Sequence, residues 1–252
     1  MAEHQLEALR ISVARLRRLA EPLGESELTG PAYPSDWRIA DVLSHLGSGA
    51  VIMQRRLDDV LAGQETPEDY APAVWDTWNA KSPVAKRDDA LAADAAVLAR
   101  IEAVTAGERD RFTFTMGPMT FTFDAFISLR VNEHAMHTWD IEVAIDPAAV
   151  IPREVALLVV DNLQLIARYT AKPTGDTATI TVATADPERG FVVQLEPDSA
   201  TLVPTAATAS ADVELTAEEF ARLVYGRLDP EHTPQRDDGT DLDVLRSVFP
   251  GP

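Results

Sequence analysis

The sequence predicts an α+β protein of two domains, a bundle of four helices followed by a small α+β domain with an antiparallel sheet. Apolar residues recur at helical spacing through most of residues 1–147, whereas short β-rich runs separated by turn residues occupy residues 148–252. The two patterns meet at Asp146-Pro147, where a proline follows a long helical segment. We therefore expect the domain boundary there.

The first two helices are predicted from apolar periodicity. Residues 3–20 form a helix whose apolar positions are Leu6, Leu9, Val13, Leu16 and Leu19. Pro34 and Ser35 stand just ahead of the second helix, which stops near Gly63.

Two further helices complete the first domain. The third runs from about Pro83 to Thr105 and the fourth from about Phe123 to Ile145. Between them, "RFTFTMGPMTFTF" alternates as in a short hairpin or an extended arm. Four helices with long connections indicate an antiparallel bundle.

The second domain begins with one predicted helix over residues 152–171. The runs "TATITVAT", "GFVVQLE", "ATLVPT" and "ADVELT" follow as predicted strands. "TAEEFARLVYGRL" opens with a capping box formed by Thr216 and Glu219 and is predicted to be a helix, as is "TDLDVLRSVF". Helices around an antiparallel sheet give an α+β unit.

Composition excludes several classes of function. The 252 residues carry a formal net charge of −19, which disfavours nucleic acid as a partner. No apolar run approaches the roughly 18 to 20 residues that span a bilayer, and the N-terminus lacks a signal peptide's apolar core. We expect a cytoplasmic protein without a membrane partner. Because there is no cysteine, any metal must be held by histidine and carboxylate, and any thiol must be brought by another molecule.

The segment "RVNEHAMHTWD", residues 130–140, carries the most informative pattern. On a helix its polar side chains fall within about 80° of one another; they belong to Arg130, Glu133, His137 and Asp140. Such a stripe is commonly solvated. Here apolar residues close it at both ends, which favours a polar seam facing the bundle interior, where buried polar groups need partners or a metal.

Glu133 and His137 are four residues apart and project to the same side of the helix. A third ligand must come from another element, and His45 in "VLSHLG" is the strong donor on the second helix. By itself, such a histidine is more often a core residue whose hydrogen bonds are satisfied by its neighbours. A His₂Glu set suits a catalytic zinc with one open position, and it equally matches the ligands of iron(II) oxygenases. His134 lies about 100° off the stripe and is predicted to be a neighbour.

"WRIADVLSHL" and "RVNEHAMHTWDIEVAI" resemble the mycothiol-dependent maleylpyruvate isomerase family, and the resemblance covers nearly the whole chain. The positions that match its signature are Trp37, His45, Arg130, Glu133, His137 and Asp140. The resemblance implies a DinB-like metal-binding bundle at residues 1–147 and a domain similar to sterol carrier proteins at residues 148–252.

The resemblance also implies the chemistry. His45, Glu133 and His137 are the expected ligands of one zinc per chain, and the expected cosubstrate is mycothiol, the low-molecular-weight thiol of actinobacteria. The implied function is that of a thiol transferase or cis-trans isomerase acting on a small electrophile similar to maleylpyruvate. Zinc lowers the pKa of a bound thiol, which agrees with this assignment. A monomer and a homodimer are both compatible with the sequence.

Three residues are candidates for supporting roles. Asp140 is expected to orient His137 through its free ring nitrogen. Arg130 is expected to pair with Asp140 or Glu133, or to bind a substrate carboxylate, unless it forms only a surface ion pair. Arg227 in "YGRL" falls near a position where the family has an arginine facing an active site between the domains. The acidic segment "DPEHTPQRDDGTD" departs from the isomerase and leaves the substrate open; its His232 is expected to be solvent-exposed.

Two other classes of function compete with an enzyme. One is a non-catalytic, metal-containing binder whose second domain holds an apolar small molecule, and the other is a metal-free bundle used for dimerisation. A structural zinc normally has four protein ligands, and only three are found here. The open position therefore favours the enzyme.

Overall fold

The computed structural model describes residues 2–33, 36–207, 210–234 and 239–251, and it divides into two compact units, Met1–Ala149 and Val150–Pro252. The predicted two-domain α+β architecture with a helical N-terminal domain is confirmed. Among the helices of the described ranges, none has the length and apolar character needed to cross a membrane.

Four long helices form the body of the first unit: α1 (Ala2–Ala20), α3 (Ile39–Leu61), α5 (Pro83–Glu102) and α7 (Phe123–Glu142). Three short helices lie between them: α2 (Glu25–Leu28), α4 (Tyr70–Asn79) and α6 (Ala106–Arg111). Helix α3 packs against α5 and α7, and α1 packs against the same two helices, so the four long helices close into a ring.

The close approach of α3 to its neighbours depends on a glycine. A Cβ atom at Gly47 would stand 2.3 Å from the ring of Trp78 and 2.9 Å from the Cα of Ala90. The absence of a side chain therefore lets α4 and α5 pack directly on the α3 backbone. On the other side of α3, helix α7 is buried on most of its faces.

The first unit differs from the prediction in its short elements. Helix α3 begins at Ile39, and Pro34 and Ser35, which were expected to precede it, lie outside the described residues. The predicted third helix ends at Glu102, and α6 begins afterwards with its own capping box, formed by Thr105 and Glu108.

The alternating segment before α7 is a hairpin of β1 (Phe114–Met116) and β2 (Met119–Phe121). Gly117 in its turn has φ +56°, a conformation that glycine adopts without strain.

The second unit contains α8 (Arg153–Val160), α9 (Leu163–Thr170), β3 (Ala178–Ala185), β4 (Arg189–Glu196), β5 (Ser199–Thr205), β6 (Val213–Thr216), α10 (Ala217–Val224) and α11 (Gly239–Val248). A 3₁₀ turn covers Pro230–His232. The strand order is β5-β4-β3-β6.

Two details of the second unit correct the prediction. The single helix expected over residues 152–171 is broken between α8 and α9, where the Asn162 side chain donates to the Leu158 carbonyl and competes with the helical hydrogen bonds. The sheet is antiparallel except at one edge, where β6 pairs parallel with β3. Strands β5 and β6 are consecutive in the chain but lie at opposite edges of the sheet, so the connection between them is a crossover.

Candidate metal centre

The structure brings together His45 from α3 and Glu133 and His137 from α7. One donor atom from each of these residues lies within 4.8 Å of the other two. His45 Nε2 is 2.8 Å from Glu133 Oε2, and His137 Nε2 is 3.6 Å from the same oxygen. Two donors on one tetrahedral zinc stand roughly 3.3 Å apart at the usual bond lengths. The three groups therefore have the chemistry and the spacing that a single metal ion requires.

Asp140 fixes the orientation of His137. Its Oδ2 lies 2.8 Å from His137 Nδ1, and its side chain is fully buried. The backbone carbonyl of Asp140 accepts a hydrogen bond from Tyr33 N, which ties this turn of α7 to the loop before α3. An Nδ1–H that donates to a carboxylate leaves the lone pair of Nε2 facing His45 and Glu133.

Aromatic rings hold the two histidines in place. The ring of Trp37 stacks on His137 with 5.9 Å between centroids and lies 5.5 Å from the ring of His45. The two histidine rings meet edge to face at 4.5 Å. Trp37, which also packs against the hydrophobic core of the bundle, therefore restricts the orientation of both imidazoles.

The protonation states suit metal binding. Burial opposes ionisation of Glu133, but the hydrogen bond with His45 and the charges of His137 and His45 outweigh it and lower the pKa of Glu133 to about 2. Burial lowers the pKa of His137 below its ordinary value, although Asp140 acts in the opposite direction. At neutral pH the centre thus offers a carboxylate and a neutral imidazole, which are the forms that bind metals.

Arg130 has a partner that the sequence did not suggest. Its guanidinium pairs with Asp94 of α5 and donates to the Leu46 carbonyl at 2.8 Å, instead of pairing with Asp140 or Glu133. His134 Nε2 lies 3.2 Å from the same Asp94 carboxylate. Asp94, Arg130 and His134 are all buried, so they form a polar cluster inside the bundle beside the metal centre.

A signal for Asp94 is present in the sequence. It occupies a position in the apolar stripe of α5, between residues that are fully buried, namely Ala90, Val97 and Ile101. A carboxylate in such a stripe must find a buried cation, and Arg130 supplies it.

The remaining predicted residues lie in the second unit. Arg227 is buried, and its guanidinium donates to the Tyr225 carbonyl at 2.8 Å. His232 is half-buried and contacts Asp229 at 2.9 Å, so the expectation of a solvent-exposed side chain is wrong. Within the acidic segment that contains His232, residues 235–238 lie outside the described part of the chain.

A cavity of about 200 Å³ opens beside the candidate metal centre within the first unit. His45 and Glu133 border it, and their side chains are 40% and 44% exposed, so the centre is accessible from the cavity. Its other walls are mostly apolar: Ile52, Met53, Trp75, Phe114, Phe126 and Leu129.

Fold and site together define a class of protein, a two-domain α+β chain whose helical bundle carries a His₂Glu centre beside an apolar cavity. Residues 9–142 match the family model described as the mycothiol maleylpyruvate isomerase N-terminal domain. The chain belongs to this family, as its sequence predicted.

Solved structures agree with the family assignment. The crystal structure of the mycothiol-dependent maleylpyruvate isomerase matches with a TM-score of 0.67 at 15% identity, over 90% of each chain. A histidine-to-alanine mutant of that isomerase matches with a TM-score of 0.66, at the same identity and coverage. No curated protein matches the chain. At this identity the structural matches establish the fold.

Proposed function

We propose that this protein is an enzyme that uses zinc and mycothiol to act on a small electrophile similar to maleylpyruvate, as a cis-trans isomerase or a thiol transferase. The observation that carries the proposal is the convergence of His45, Glu133 and His137 beside an apolar cavity. Three protein ligands leave a coordination position for another molecule, and a chain without cysteine cannot fill that position with its own sulfur.

Each residue of the centre has a definite task in this proposal. His45, Glu133 and His137 hold the zinc. When bound, zinc supplies the Lewis acidity that lowers the pKa of a thiol, so that a thiolate exists at neutral pH. Asp140 accepts a hydrogen bond from the Nδ1–H of His137 and so orients its ring. The apolar walls of the cavity limit the access of water to the reacting atoms.

The two arginines enter the proposal differently. Arg130 acts as a positioning residue, because its pair with Asp94 links α7 to α5 across the bundle about one turn before Glu133. Arg227 is proposed to contact the substrate, and this assignment rests on the family resemblance alone.

Cobalt(II) substitution tests the central claim. Cobalt in place of zinc should give a sulfur-to-metal charge-transfer band in the near ultraviolet when mycothiol is added, because the thiol loses its proton on binding the metal. The alcohol analogue of mycothiol should give no band. Glu133→Ala should abolish the band with the metal, whereas His232→Ala, which is not one of the proposed ligands, should retain it.

Cobalt that binds without any spectral response to thiols would overturn the thiol chemistry and leave the non-catalytic binder in its place. If the band is observed, product analysis distinguishes cis-trans isomerisation from thiol transfer. Maleylpyruvate and mycothiol together should give either the trans isomer with the thiol returned, or a stable thiol conjugate.

A further inference from the structure

Arg56 of α3 carries a half-buried charge that forms no ion pair with any residue in the described part of the chain. Its neighbour Arg55 forms an ion pair with Asp59 at 2.8 Å. Arg56 makes no hydrogen bond or ion pair with any described residue, and its guanidinium lies 5.6 Å from the ring centroid of Phe114. Burial lowers the pKa of Arg56, yet a guanidinium stays charged at neutral pH. The Phe114 ring offsets part of the cost of holding this charge in partly apolar surroundings, and a ligand of opposite charge would offset more of it.

Arg56 shares one face of α3 with the metal centre. His45, Gly49, Ile52 and Arg56 all border the apolar cavity and recur at spacings of four, three and four residues. Eleven residues on a helix return to within about 20° of the same direction and advance roughly 16 Å. Because the Cα–Cβ bonds of a helix tilt towards its N-terminus, the side chain of Arg56 leaves the helix in the direction of His45. The cavity thus has metal ligands near one end and a free cation near the other.

The residues that line the cavity between His45 and Arg56 indicate which kind of ligand it can bind. The walls are mostly apolar, and the second arginine at the cavity, Arg130, already pairs with Asp94. In a chain with a net charge of −19, an anion is attracted only where a local cation offers a specific pair. A guanidinium binds a carboxylate through two parallel hydrogen bonds. At about 200 Å³ the cavity is smaller than sites for drug-sized molecules, so it suits a short carbon skeleton.

We propose that Arg56 binds the carboxylate of a short unsaturated acid, and that the apolar cavity holds the carbon skeleton with its reactive carbon towards His45, Glu133 and His137. The inference rests on the proposed function for the identity of the reactive end. It makes Arg56 the residue that determines specificity for anionic over neutral electrophiles.

Ligand-observed NMR titration of the full-length, metal-free protein tests the inference. The probe is crotonate, and its uncharged control is crotonamide, which has the same skeleton. Removal of the metal prevents the carboxylate from binding at the centre itself. The wild type should bind crotonate more tightly than crotonamide. Arg56→Gln should weaken crotonate binding by roughly 10- to 100-fold, since a charge-assisted pair is lost, and should leave crotonamide unchanged.

Two further variants complete the design. Arg56→Lys keeps the charge without the two parallel donors, so its affinity for crotonate should be intermediate. Arg18→Gln removes the same charge from an exposed position on α1 and should bind crotonate like the wild type. Circular dichroism checks that each variant is folded.

The inference is overturned if Arg56→Gln binds crotonate as tightly as the wild type, if crotonamide binds the wild type as tightly as crotonate, or if the folded wild type does not bind crotonate at all. These outcomes are independent of the cobalt experiment, because the titration requires neither metal nor thiol. Loss of the thiol band with retention of the Arg56 effect would reject the proposed function alone.

Discussion

Substitution of Asp94 by asparagine would remove the counter-charge of a buried arginine while preserving the shape of the side chain. Asp94 and Arg130 are 1% and 3% exposed, so water does not screen their interaction. Breaking a buried ion pair by removal of one partner costs about 3 to 5 kcal/mol, because the other charge stays buried. For a chain of this size, each kcal/mol corresponds to about 2 to 4 °C in melting temperature. Asp94→Asn should therefore melt roughly 6 to 20 °C below the wild type.

Tryptophan fluorescence measures the loss of stability in the first unit, which contains the substitution. All four tryptophans lie between Trp37 and Trp139, within the first unit, so selective excitation follows the unfolding of the bundle alone. The double variant Asp94→Leu with Arg130→Met should recover most of the loss, since no unpaired charge remains. A loss below about 1 kcal/mol in Asp94→Asn, typical of an exposed pair, would refute the argument that the cluster is shielded from water.

The same pair predicts a pH dependence. Burial raises the pKa of Asp94, but the charges of His134 and Arg130 outweigh it and hold that pKa below its ordinary value. A carboxyl with a lowered folded pKa contributes stability above its unfolded pKa of about 3.9 and loses it as the pH falls through the folded pKa. In denaturant titrations, the stability difference between wild type and Asp94→Asn should therefore be full at about pH 5 and should shrink as the pH falls below the unfolded pKa.

Three other substitutions test the site and the packing around it. His137→Ala should lose the bound metal in elemental analysis of purified protein, whereas His232→Ala should retain about one metal per chain; equal metal content in both variants would contradict the ligand assignment. Asp140→Asn should weaken zinc affinity about 10- to 100-fold in competition with a chelator, because the orientation of the histidine ring is lost, and an unchanged affinity would remove Asp140 from the centre. Gly47→Ala should destabilise the bundle by about 1 to 3 kcal/mol in denaturant titrations, because its Cβ would meet the Trp78 ring at 2.3 Å; a neutral effect would show that α3 and α4 can separate without cost.

The spacing of apolar and polar residues along the chain was sufficient to predict the fold class and part of the candidate site. The apolar spacing of α1, α5 and α7 predicts these helices to within a few residues, because burial of one face requires that spacing. Glu133 and His137 project together for the same reason, since four residues make about one helical turn. The absence of cysteine limited any metal ligands to histidine and carboxylate before a structure was known.

The partners across elements were decided only by the tertiary structure. His45 and Glu133 are 88 residues apart, and Arg130 and Asp94 are 36 apart, so no local pattern records that they meet. The parallel pairing of β6 with β3 has the same origin, since it depends on which edge of the sheet the returning chain can reach. Periodicity specifies the direction of a side chain around its own helix or strand. Its partner depends on how whole elements pack, and that is set by the summed burial of many residues distant in sequence.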